Sequence, residues 1–222
     1  GSRLIPMFLI SKYENKKLLW WVYALINIGL ISFITIFLLS FKSQLYFIPI
    51  ILIGSGVILF GYYIQQSHIK RIRKKVDEQV KTSILSVAFM VIPLIVLVGI
   101  IATLTSISNL KFVLFYGFTI FFGWITAIIL GMTFKTLPFI IWNKVYHNIA
   151  GLGKTPNPKE LFSTPIFTVT VVSYVVGFVI FGWGIIKTDV LMLKVGAIFL
   201  LVTAILYNLN VFKILFHKAK LK

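Results

Sequence analysis

The stretch QQSHIKRIRKKVDEQVKTS, Gln65–Ser83, decides the fold. It places Lys70, Arg71, Arg73, Lys74, Lys75 and Lys81 between two long uncharged runs, Leu45–Ile64 and Ile84–Ile107. Runs of about 20 apolar residues cross roughly 30 Å of hydrocarbon at about 1.5 Å per residue. Outward from this pair lie four more: Leu18–Phe41, Phe112–Phe134, Pro165–Ile186 and Val190–Phe212. Only the last contains a charge, Lys194, one turn from its start, where a lysine can snorkel to the interface. The sequence therefore predicts an all-α integral membrane bundle of six transmembrane helices.

Eighteen of the 22 Lys and Arg residues fall in alternate gaps between these runs. Basic residues are retained on the cytoplasmic side of a membrane. Both termini are expected there, as in a multi-pass protein of the inner membrane. Trp20, Trp21, Tyr62, Tyr63, Trp142 and Tyr146 fall at inner ends and Tyr46, Tyr116 and Trp183 toward outer ends, as aromatic belts do. Trp124 is the exception, near mid-membrane.

Only 12% of the residues are charged and 59% are hydrophobic, against about 25% charged in soluble domains. The net charge of +17 would suggest nucleic acid if it lay on a domain face. It lies in loops beside the membrane instead, so nucleic acid is not the expected partner. The bilayer and its anionic lipid headgroups are, with Lys70, Arg71, Arg73, Lys74 and Lys75 contributing about 1 kcal/mol each. No cysteine is present, which excludes disulfides, iron–sulfur clusters and thiolate metal sites.

The outer connections, Lys42–Gln44, Ser108–Lys111 and Lys187–Asp189, are short and predict three tight hairpins. Thr188 or Asp189 can cap the sixth helix. Thr164 followed by Pro165 suits a cap and first helical residue for the fifth. The inner loop Gln65–Ser83 is expected to extend a neighbouring helix, and Asn143–Ser163 to be an ordered surface loop. Its Gly151-Leu152-Gly153-Lys154-Thr155 lacks phosphate-loop spacing. The chain opens Gly1-Ser2-Arg3 without methionine, which fits a cloning scar or a truncated frame. Apolar Leu4–Ile10 before polar Ser11–Lys17 reads as the last turns of a preceding helix leaving the membrane.

None of the five carboxylates, Glu14, Asp77, Glu78, Glu160 and Asp189, falls inside a run. That disfavours a carboxylate-driven proton transporter and an intramembrane acid–base hydrolase. His68, His147 and His217 sit at inner helix ends, not at positions suited to ligating haem or metal inside a bundle; no metal site is expected. Gly123, Ala127 and Gly131 form a small-residue face on the fourth helix. Such a face suits close helix packing, or a groove for a flat cofactor or lipid chain. Lys135 continues that face, either snorkelling or pairing with an anion such as a lipid phosphate or a haem propionate. Pro138 is expected to kink or end the helix, with Thr133 and Thr136 satisfying freed backbone. Asn27, Ser32, Thr35, Ser173, Asn208 and Asn210 are expected to bond between helices.

Three strings carry a resemblance: SRLIPMF at Ser2–Phe8, GMTFKTLPFIIWNKVYH at Gly131–His147, and GLGKTPNPKELF at Gly151–Phe162. With the helix pattern, they resemble the C-terminal half of bacterial membrane proteins related to haem–copper oxidase subunit I and to the NnrS haem- and copper-containing family. The resemblance implies a bacterial inner-membrane protein of about twelve helices around haem, whose iron is held by imidazoles within the bundle. It also implies a redox or nitric-oxide-related role, with the ligands in a missing N-terminal half or partner subunit. Lys135 and His147 lie within the middle string and are the candidate cofactor-binding residues. A transporter or permease subunit and a non-catalytic membrane scaffold are the competing readings.

Overall fold

The computed structural model describes residues 4–39, 43–72, 76–102, 110–147 and 155–219. Among the described residues the regular structure is helical, and the one β-feature is an isolated antiparallel bridge between Ser11 and Arg71. A short helix α1, Leu4–Leu9, precedes α2, Lys16–Leu38. Asn15 starts α2 by accepting the Leu18 N–H at 3.0 Å, which satisfies a donor that helix geometry leaves open. Then come α3 (Phe47–Ile69), α4 (Glu78–Phe89), α5 (Val91–Ala102), α6 (Leu110–Phe118), α7 (Thr126–Tyr146), α8 (Thr164–Lys187) and α9 (Val190–Leu215).

Among the described residues six helical segments are long and apolar enough to cross a membrane. Two are composite. α4 and α5 together form Glu78–Ala102, broken by a turn at Met90. Pro93 lacks the N–H that would bond the Phe89 carbonyl, so the ladder is interrupted there. α6 and α7 are joined by a π-helical stretch, Thr119–Ile125, giving one helical run, Leu110–Tyr146, of 37 residues.

Of the kink or end expected at Pro138, the end does not occur, because α7 continues through it to Tyr146. Phe139–Tyr146 is anchored by Trp142 Nε1, which donates to the Pro156 carbonyl at 2.6 Å, and by Tyr146, which is fully buried. Nor do the threonines serve the freed carbonyl near Phe134. Thr136 bonds the Met132 carbonyl, and Thr133 accepts from the Tyr207 hydroxyl. Thr164 is not a cap either: Ser163 precedes the helix, and Thr164 and Pro165 are its first two residues. Asp189 does cap α9, accepting the Leu191 and Met192 N–H groups. The expected hairpin at Ser108–Lys111 lies largely outside the described residues.

The most extensive packing joins α8 to α9, α2 to α3 and α4 to α7. At the α8–α9 hairpin, Gly196 lies so close to Phe181 that an added Cβ would meet its backbone nitrogen at 2.6 Å. The N-terminal segment wedges against α3 and α4, with Ile5 and Leu9 packed on Tyr63, Ile64 and Val80. It then turns through Ile10 at φ 51°, a left-handed conformation that β-branched residues rarely adopt. The Ile10 carbonyl accepts the Ile72 N–H at 3.2 Å, and Ser11 Oγ donates to the Lys70 carbonyl at 3.4 Å. A second core gathers Phe118, Ala127, Leu130, Tyr174 and Phe178, and a third Phe134, Phe162, Phe167 and Ile214.

Candidate functional site

The C-terminal half of α7 packs against the start of α4. Gly131 makes this possible. A Cβ there would collide with Ser83 Oγ and lie 2.7 Å from the Gln79 carbonyl oxygen and 2.8 Å from the Ser83 nitrogen. Ala127 on the same face is fully buried. Gly123, a turn further out, faces the Phe178 ring at 3.2 Å from such a Cβ. The small-residue face is thus occupied by other parts of the chain, an α-helix at Gly131 and an aromatic ring at Gly123.

One turn past Gly131, Lys135 Nζ meets Asp77 Oδ2 at 2.6 Å. Asp77 immediately precedes α4 and also meets Lys159 Nζ at 3.4 Å. The anion facing Lys135 is an intrachain carboxylate. The Lys135 ammonium also lies 5.2 Å from the Phe8 ring centroid, within cation–π range.

These residues line an open cavity of about 1110 Å³. Its walls come from all three strings that carry the family resemblance. Leu4, Met7 and Phe8 come from the first, Phe134–Thr136 and Pro138–Ile140 from the second, and Asn157–Glu160 and Phe162 from the third. Asp77, Gln79 and Thr164 complete it. Segments far apart in sequence meet here because α1 lies against α4, α4 against α7, and the 3-10 turn Pro158–Leu161 against α7.

The third string is locked in place by α9. Asn210 is fully buried; its Oδ1 accepts the Ser163 N–H at 2.9 Å and its Nδ2 donates to the Ser163 carbonyl at 3.0 Å. Asn208, two residues away, is exposed and bonds only within its own helix, to the Ala204 carbonyl. Deeper in the bundle, the buried Tyr174 hydroxyl lies 2.6 Å from the Phe122 carbonyl and 2.7 Å from that of Gly123. Both carbonyls belong to the π-helical stretch, where the regular ladder shifts.

The histidines stand apart from this cavity. His147 is exposed at the end of α7 and does not line it. His217 Nε2 and the Tyr146 hydroxyl share a hydrogen bond of 3.0 Å. His68 is engaged by Arg71, whose guanidinium lies 3.1 Å from its Nδ1 and donates to its carbonyl at 2.7 Å. Lys70 is exposed, its ammonium 4.9 Å from the Tyr13 ring centroid. Arg73, Lys74 and Lys75 lie outside the described residues. Among the described residues, no three of His, Cys, Asp and Glu come together.

A haem test follows from the lining. The cavity offers ammonium groups for propionates and aromatic walls for a macrocycle, but no imidazole faces it. The residues of this chain do not fit a haem held on histidine here.

Sequence reasoning located Lys135 but missed its partners. Asp77 and Lys159 each sit in a charged loop, and nothing local links positions 58 and 82 residues apart. Comparison with protein-family models, curated proteins and solved structures returns no match.

Proposed function

We propose that this chain is the six-helix membrane scaffold of a haem–copper-oxidase-like or NnrS-like protein with a redox or nitric-oxide-related role. It lies in the bacterial inner membrane with both termini in the cytoplasm, and any haem is ligated by a partner segment or subunit. The observation that carries this reading is the meeting of the three resemblance-bearing strings around one cavity at the inner end. The orientation rests on the eighteen basic residues in alternate gaps, whose placement toward the cytoplasm is the general rule.

The scaffold role is favoured over a permease because the polar groups within the spans serve the chain's own backbone. Thr35, Ser55, Ser67, Thr136, Thr170 and Thr203 each donate to a carbonyl three or four residues earlier. No chain of free polar groups across the bundle is required to explain them.

Reduced-minus-oxidised absorption spectra test the redox part. This chain is purified alone and together with its natural partner segment, with haem supplied during expression. Haem bands in the joint preparation only support the reading; featureless spectra from both sink it. A fluorescent protein fused after Lys222 tests orientation, because fluorescence requires a cytoplasmic C-terminus.

A further inference from the structure

We infer that the inner-end cavity binds one glycerophospholipid whose headgroup carries both a phosphate and a primary ammonium. The inference rests on the proposed orientation only for the leaflet involved, that of the cytoplasmic side.

Depth comes first. Lys135 lies about 25 residues beyond Leu110, roughly 37 Å along a helix and slightly more than the hydrocarbon thickness. With ordinary tilt that places it at the headgroup level. At the same level Met7, Phe139 and Ile140 are 58%, 61% and 59% exposed, and all three line the cavity. Apolar side chains beside a charged cluster at this depth suit the region where a lipid's glycerol backbone meets its acyl chains.

Charge selects the headgroup. The lining contains two ammonium groups, Lys135 and Lys159, and two carboxylates, Asp77 and Glu160. Among the described lining residues the two signs are equal in number. A head bearing phosphate and ammonium meets both signs, and a primary ammonium can donate hydrogen bonds to a carboxylate where a quaternary one cannot. The groups nearest the opening are free to turn toward it. The Lys159 side chain is 59% exposed and held to Asp77 only at 3.4 Å. Glu160 meets Asn157 Nδ2 at 3.4 Å.

Gln79 supplies an independent pointer. It is 2% exposed and it lines the cavity. Its amide N–H groups can donate to a phosphodiester oxygen.

Native mass spectrometry of the full chain in detergent tests this, with equimolar phosphatidylethanolamine, phosphatidylglycerol and phosphatidylcholine of identical acyl chains. The expected result is a single retained phosphatidylethanolamine, with retention reduced about tenfold by Lys159→Met or Glu160→Gln, the loss of one charge-assisted contact. Both side chains are exposed, so neither variant threatens folding. Equal retention of the three lipids, a preference for either of the others, or retention unchanged in both variants overturns the inference. So does displacement by excess inorganic phosphate, which would assign the site to the free anion. Micelles impose no orientation, so a failure here is separate from a failure of the topology or the haem spectra.

Discussion

Lys135 Nζ and Asp77 Oδ2 lie 2.6 Å apart although 58 positions separate them in sequence. The pair ties the inner half of α7 to the entry of α4, one turn beyond the Gly131–Ser83 approach. Only 20% of the lysine side chain and 10% of the aspartate side chain are exposed, so the lysine charge leans on the carboxylate, which Lys159 also meets. Breaking a buried pair from one side leaves an uncompensated charge, and partial exposure brings that cost to about 1–3 kcal/mol. Lys135→Met and Asp77→Asn should each lower the thermal midpoint followed by circular dichroism in detergent. Lys159→Met should leave it nearly unchanged. A Lys135→Met midpoint equal to wild type would show that the pair does not hold the helices.

The glycines separate by what stands opposite them. Gly131→Ala must push backbone away, because its Cβ would lie 2.8 Å from the Ser83 nitrogen. Gly123→Ala meets only a Phe178 ring edge, which can shift, and Gly54→Ala meets nothing within 4 Å. Overpacking costs about 1–3 kcal/mol, whereas an unhindered Gly→Ala change in a helix gains about 1 kcal/mol. Stability should therefore fall in the order Gly54→Ala, Gly123→Ala, Gly131→Ala. Equal midpoints for the three variants would remove the close-approach argument.

The spans were legible in sequence because twenty uncharged apolar residues have few alternatives to a helix in a membrane. Asp189 was legible for a similar reason, since a carboxylate before a helix start acts locally. At Pro138 the rule is equally local and left the choice between a kink and an end open. Whether a proline ends a helix depends on what holds the residues beyond it, and here Trp142 reaches Pro156, in another segment of the chain. The cavity was half legible. The three strings that form most of its walls stood out only through the resemblance, and their meeting depends on α1, α4 and α7 packing side by side. Gln79 gave no signal at all, since a glutamine near a helix start is ordinarily solvated.

Tyr174 offers a test of the π-helical stretch. Its hydroxyl is the described donor to the Phe122 and Gly123 carbonyls, and the residue is fully buried. Tyr174→Phe keeps the ring and removes the donor, for a cost of about 1–2 kcal/mol. The expected readout is a lower thermal midpoint with faster amide exchange confined to Thr119–Ile125. Unchanged exchange there would mean that the hydroxyl does not stabilise the stretch.

Asn210 and Asn208 make a matched pair for the inner end. The two differ little in sequence context, yet only Asn210 bonds another segment, through both the N–H and the carbonyl of Ser163. Removing the fully buried amide leaves the Ser163 N–H unpaired, while the Ser163 carbonyl keeps only the Phe167 N–H, at about 1–3 kcal/mol. Those groups belong to the residue just before α8, and the turn carrying Lys159 and Glu160 lies immediately upstream. Asn210→Leu should therefore loosen the cavity wall as well as the helix. Limited proteolysis should cut sooner near Asn157–Ser163 in Asn210→Leu, while Asn208→Leu should resemble wild type. If both variants are cut at the wild-type rate, the α9 contact is not what holds the third string against the cavity.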